Sequence, residues 1–76
     1  MASARLDNLR AQRVSAGHSV TQLARLANVS DWTITSLELA AQGTHVGGGT
    51  CTHDVADRIC NALAISRATG GFVDLG

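Results

Sequence analysis

His45, Cys51, His53 and Cys60 bring four metal-ligating side chains into sixteen residues, and zinc is the ion that such a set would hold. Their spacing argues against it. The chain has no Cys-x-x-Cys or His-x-x-x-His pair, and Cys60 falls on the apolar stripe of a helix expected over 52–64. A Cys51–Cys60 disulfide does not suit a reducing cytosol, so two free thiols with Cys60 buried are expected. Ser, His and Asp occur without a nucleophile–base–orienter spacing. The triple glycine Gly47–Gly49 lacks the strand before it and the Lys after it that a phosphate loop requires. A small helical bundle also has little room for a deep pocket. No catalytic residue, metal, cofactor or small-molecule ligand is therefore expected.

What remains is hydrogen-bonding chemistry. Asp31, Trp32, Thr33, Thr35 and Ser36 are expected on the outward face of a short helix over 31–41, with Ile34 and Leu37 inward. Hydroxyls of Thr and Ser can bond to several bases, whereas bidentate readers such as Arg, Asn or Gln are missing from this face. Asp31 can accept from a cytosine amine but repels phosphate. Trp32 has three readings: contact with a thymine methyl or a distorted base step, an anchor for a protein partner, or packing against a neighbouring helix or loop. Upstream, Ser19, Thr21 and Gln22 gather at the start of a second helix, where backbone amides can meet a phosphate. Gln42 follows the end of the helix over 31–41 as a further donor.

Caps and breakers define the elements that would position these groups. A first helix is expected from about Ala4 to Ala16, with Leu6 and Leu9 facing the core and Gly17 stopping it. The next runs from Val20 to Ala27, capped by Ser19, with Leu23, Ala24, Leu26 and Ala27 on one stripe. Asn28 tolerates the left-handed conformation that ends a helix, Val29 plugs the corner and Ser30 caps the helix over 31–41. Residues 42–51 read as a Gly-rich loop, which either follows a nucleic-acid backbone through Gln42, Thr44 and His45 or is a solvent-exposed linker. Thr52 caps a fourth helix whose buried stripe is Val55, Ala56, Ile59, Cys60 and Leu63. The tail over 66–76 holds Phe72, Val73 and Leu75, which pack onto the bundle or onto a second subunit. The fold class expected is all-α: one compact domain of four to five helices, with residues 19–38 as its helix–turn–helix core.

This arrangement resembles the helix-turn-helix domain of the phage repressor and Cro family, also called XRE. Arg13, Gly17, Ser19, Leu23, Ala24, Val29, Ser30, Ile34 and Glu38 stand at the family's spacings, and DVADRICNALAIS is similar to its fourth helix and exit. The resemblance covers roughly residues 6 to 66. It implies a sequence-specific DNA-binding transcriptional regulator of phage or bacterial type, a small repressor or Cro-like protein, with residues 31–41 in the major groove. It also implies an ion pair between Arg13 and Glu38 that ties the first helix to the third; the bare sequence allows both to be solvated. Val20 departs from the family, which carries a phosphate-touching Gln there; Gln22 is the neighbour that could take over part of that contact.

Seventy-six residues without Pro, with two large aromatics and many Ala and Leu, bound the chain to one small helical domain. Nothing resembles a signal peptide or a membrane span, so a cytoplasmic protein is expected. Net charge is zero, against the basic surplus common in DNA-binding domains. The sum hides a gradient. Residues 1–30 carry Arg5, Arg10, Arg13 and Arg25 against Asp7, whereas residues 31–76 carry Arg58 and Arg67 against Asp31, Glu38, Asp54, Asp57 and Asp74. The expected partner is double-stranded DNA, bound by a homodimer formed through the fourth helix and the tail, because one domain covers too few base pairs to be selective. The alternative is the same fold used as a protein-interaction module, antitoxin-like or phage-encoded, with Trp32 as the anchor.

Overall fold

Ala4 and Leu6 are buried while Ser3 and Arg5 are half-exposed, and this two-residue alternation makes the first element a strand. The computed structural model describes residues 3–43 and 49–76. In chain order they form β1 (Ser3–Leu6), α1 (Leu9–Ser15), α2 (Val20–Ala27), α3 (Asp31–Ala41), β2 (Cys51–Thr52), α4 (His53–Ala62), α5 (Arg67–Gly70) and β3 (Phe72–Asp74).

The chain is mostly helical, but the all-α expectation is corrected by a three-stranded antiparallel sheet in the order β2-β1-β3. Ala4 pairs with Cys51 on one side and Asp74 on the other, and Leu6 pairs with Phe72. The helix expected from Ala4 to Ala16 is therefore a strand, a turn at Asp7 and Asn8, and a shorter helix. Leu6 and Leu9 are both about 1% exposed in this arrangement, so the apolar spacing that suggested one helix is satisfied by two elements. The tail is likewise not a loose segment. Beyond β3 the pairing extends through Leu75 N–H to Ser3 O at 2.9 Å and Ser3 N–H to Gly76 O at 2.8 Å. His53 reinforces it: its Nε2 donates to Ser3 O at 3.2 Å and Asp74 Oδ1 at 3.1 Å, with Phe72 edge-on to its ring. Arg67 sits 4.4 Å over the other aromatic partner, Phe72.

Within the tail, Phe72 packs against the bundle's core, whereas Leu75 is 45% exposed. The outward face of α4 is polar, with Asp54, Arg58 and Asn61 exposed.

The helical boundaries follow from the caps. Ser19, Ser30, Thr52 and Ser66 each accept a backbone N–H from the third residue onward at the starts of α2, α3, α4 and α5. At the end of α2, Asn28 adopts φ 58°, and Val29 N–H bonds back to Ala24 O at 2.9 Å while Asn28 N–H reaches Arg25 O. The end of α4 uses the same bonding pattern with Ala64 at φ 56°.

Leu6, Leu9, Leu23, Ile34, Leu37 and Ile59 form the fully buried centre, joined by Ala24, Ala27, Ala56 and Cys60. Each such large side chain contributes about 1.5–3 kcal/mol through its removal from water. Leu26, expected on the inner stripe of α2, is corrected: it is 58% exposed, because the narrow contact with α3 and α4 takes only Leu23, Ala24 and Ala27. Among the described residues no helix is long and apolar enough to cross a membrane.

Candidate functional site

The side chains expected to make contacts divide into three groups in space. Ser19, Thr21, Gln22, Asp31, Trp32, Thr33 and Thr35 lie on α2 and the first two turns of α3. Ser36 lies on α3 but faces inward. Gln42 stands at the far end of α3.

The first group is organised by capping. Ser19 Oγ accepts from Gln22 N–H at 3.1 Å, and the Gln22 side-chain oxygen accepts from Ser19 N–H at 2.9 Å, a reciprocal box that fixes where α2 begins. Gln22 thus spends its acceptor on the cap and keeps its amide donor free. The Thr21 hydroxyl donates to Asp31 Oδ2 at 2.9 Å, tying the starts of α2 and α3 together. Ser30 Oγ accepts from Thr33 N–H and bonds to Thr33 Oγ1 at 2.9 Å, so the Thr33 hydroxyl is engaged in the cap. Trp32 is 52% exposed on the outer side of α3. Thr35 is partly exposed one turn beyond Asp31. The accessible stripe of α3 is therefore Asp31, Thr35 and Leu39, spaced four residues apart, with Trp32 beside it. Leu39, partly exposed, was missed because its apolar character argued for the core.

Ser36, expected outward, is corrected. It is 6% exposed and its hydroxyl donates to Thr33 O at 3.2 Å. Gly49 comes close to this part of α3: a Cβ there would lie 3.2 Å from Ser36 O and overlap the Cβ of Ala40. Of the expected loop over 42–51, Thr44 and His45 lie outside the described residues, while Cys51 begins β2. Gln42 lines a groove between α1 and α3 with Asp7, Arg10, Ala11, Val14 and Ala41, away from the α2 end of α3.

What fixes α3 is the pair between Arg13 and Glu38. Arg13 Nε donates to Glu38 Oε2 at 2.7 Å and Nη2 to Oε1 at 2.9 Å, with side chains 13% and 9% exposed. Arg13 Nη1 also donates to His18 O at 2.9 Å, so one guanidinium binds α1, the α1–α2 turn and α3 at once. The Glu38 hydrogen bond raises the Arg13 pKa above its already high ordinary value.

Of the four ligand-type side chains, His45 lies outside the described residues, and Cys51, His53 and Cys60 each have other partners or surroundings. Cys51 Sγ donates to Ala4 O at 3.7 Å, and burial, aided by Cys60, pushes its thiol up to about 11. Cys60 is 3% exposed in the core, and burial raises its pKa as well. His53 serves the sheet.

Charge is paired unevenly. Arg5, Arg13, Arg58 and Arg67 each hold a carboxylate, at 2.7, 2.7, 2.7 and 2.6 Å respectively. Arg10 and Arg25 are exposed and make no ion pair among the described residues. Neither was singled out from the sequence, although the basic surplus of residues 1–30 was the signal that could have found them. No protein-family model matches the chain, and no curated protein and no solved structure shows significant similarity to it.

Proposed function

We propose that the protein is a sequence-specific DNA-binding regulator in which α2, the Asn28–Ser30 turn and α3 act as a helix-turn-helix, with α3 entering the major groove. The observation that carries the reading is the outward stripe of α3. Asp31, Trp32, Thr35 and Leu39 are accessible beside the capped start of α2, on a helix anchored along its flank by the bidentate Arg13–Glu38 pair. Side chains that read bases must be held at a fixed angle, and a shielded guanidinium–carboxylate fork supplies angle more than net stability. Thr35 offers a hydroxyl to base edges, Asp31 an acceptor for a cytosine amine, and Trp32 an apolar plate for a thymine methyl. A repressor or Cro-like role by exclusion of polymerase needs no further part. Two domains on adjacent half-sites about 34 Å apart belong to the same proposal, paired through the α4 face and the outer edge of β3, where Leu75 is 45% exposed.

Selection from a random duplex pool at low salt, followed by anisotropy on the enriched sequence, tests this. Trp32→Ala combined with Thr35→Ala is expected to weaken the selected site at least tenfold with helicity unchanged. Unaltered affinity, or no enrichment at all, removes the proposal.

A second reading is favoured by one observation: Trp32 is half-exposed on a chain of zero net charge. A protein partner anchored on Trp32 would be bound with little dependence on salt, as an antitoxin-like module would bind its target. Steep loss of affinity with salt separates the two.

A further inference from the structure

We infer that Arg10 and Arg25 are the phosphodiester contacts of this domain, one at each end of α3. Four of the six arginines are neutralised by the chain's own carboxylates. Removing those pairs from the charge count leaves Arg10 and Arg25 against Asp31 and Asp74. Asp31 accepts the Thr21 hydroxyl, and Asp74 accepts His53 and the Gly76 N–H at the sheet. The net charge of zero therefore conceals two cations that are unengaged among the described residues, both on the helices that support α3.

Their placement gives them a common purpose. Arg25 follows Thr21 by one turn on the exposed side of α2, and Thr21 touches Asp31 at the start of α3. Arg10 shares the α1–α3 groove with Gln42, the residue that ends α3. Between these points lie the 11 residues of α3, about 16 Å at 1.5 Å per residue. B-DNA's major groove is about 12 Å wide and is bordered by a phosphate backbone on each side. A helix lying in it with one guanidinium at each end meets both rims. The charged term of binding is then small and divided, about two phosphates per protomer, which gives a slope of log affinity on log salt of about −2.

This inference rests on α3 being the element that enters the groove. Its test compares wild type, Arg10→Gln, Arg25→Gln and the carboxylate-paired control Arg58→Gln, by anisotropy across a salt series. The probes are a mixed-sequence duplex and base-free inorganic polyphosphate. Arg10→Gln and Arg25→Gln are each expected to flatten the duplex slope by about one, and the control to leave it unchanged. The duplex is expected to bind tighter than polyphosphate at equal phosphate concentration. Unchanged slopes in both variants, an equal loss in the control, equal affinity for the two probes, or no binding to either would overturn it. Arginine-dependent duplex binding without base preference leaves this inference standing and removes sequence reading. An enriched sequence indifferent to both arginines does the reverse.

Discussion

Arg13 grips Glu38 through two parallel hydrogen bonds of 2.7 and 2.9 Å across 25 residues of chain, with both side chains nearly closed to solvent. Breaking one side strands the other charge where water reaches it poorly. Glu38→Gln is expected to cost about 2–4 kcal/mol. The melting temperature should fall by roughly 10 °C or more for a domain of this size. Replacing both partners by Leu should cost less than the sum of the single replacements, because no uncompensated charge remains. Urea denaturation of the four proteins of the cycle measures the coupling, and strict additivity would contradict it.

Two left-handed positions predict opposite signs. Gly71 has φ 73°, and a Cβ added there would lie 2.6 Å from Asn8 N, so Gly71→Ala should destabilise by about 2 kcal/mol or more. Ala64, at φ 56°, already bears a side chain in that region. Ala64→Gly should therefore stabilise by about 0.5–1 kcal/mol, provided the relief exceeds the added freedom of the unfolded chain. Thermal melts of both variants check the pair.

Acid should loosen the C-terminal end. The Arg67 hydrogen bond lowers the Asp57 pKa, and the Gly76 N–H, with His53 and Arg67, lowers that of Asp74. A carboxyl whose folded pKa is depressed contributes stability above its unfolded value and loses it as pH falls through the folded one. The contribution is thus complete above the ordinary value of 3.8 and disappears below it. Stability measured from about pH 6 to 2 should drop in that window, less steeply in Asp57→Asn and Asp74→Asn.

The Cys51 thiol, raised to about 11, should be sluggish. At pH 8 the fraction of thiolate falls about 100-fold relative to a thiol at 9.0, the ordinary value. Alkylation of the native protein should be correspondingly slow and become rapid in denaturant. Fast native labelling of Cys51 would contradict the burial.

The locally determined parts of this architecture were legible. Ser19, Ser30 and Thr52 cap because their side chains reach the amide three residues on, and Asn28 turns because its own backbone tolerates a positive φ. The misread parts depend on distant partners. Leu6 and Leu9 fit a helical period, and β1 becomes a strand only because residues 51–52 and 72–74 supply its hydrogen bonds. Ser36 is polar in a helix and reads as exposed, yet it is buried, and Gly49, thirteen residues away, comes against the same stretch of α3. At the candidate site, the exposure of Trp32 was legible, whereas the lack of an ion pair at Arg10 and Arg25 among the described residues required knowing which carboxylates the other arginines had taken.

The central strand of the sheet is the earliest described segment of the chain, and its longer pairing is with the last. During vectorial synthesis β1 leaves the ribosome with neither neighbour available, and α1 to α4 can assemble while it waits. Closure comes only when Phe72–Gly76 emerges and joins Ser3 and Leu6. Without residues 72–76, β1 would keep a bare strand edge, prone to pair with another chain. This segment thus acts as a latch that closes the sheet against such pairing.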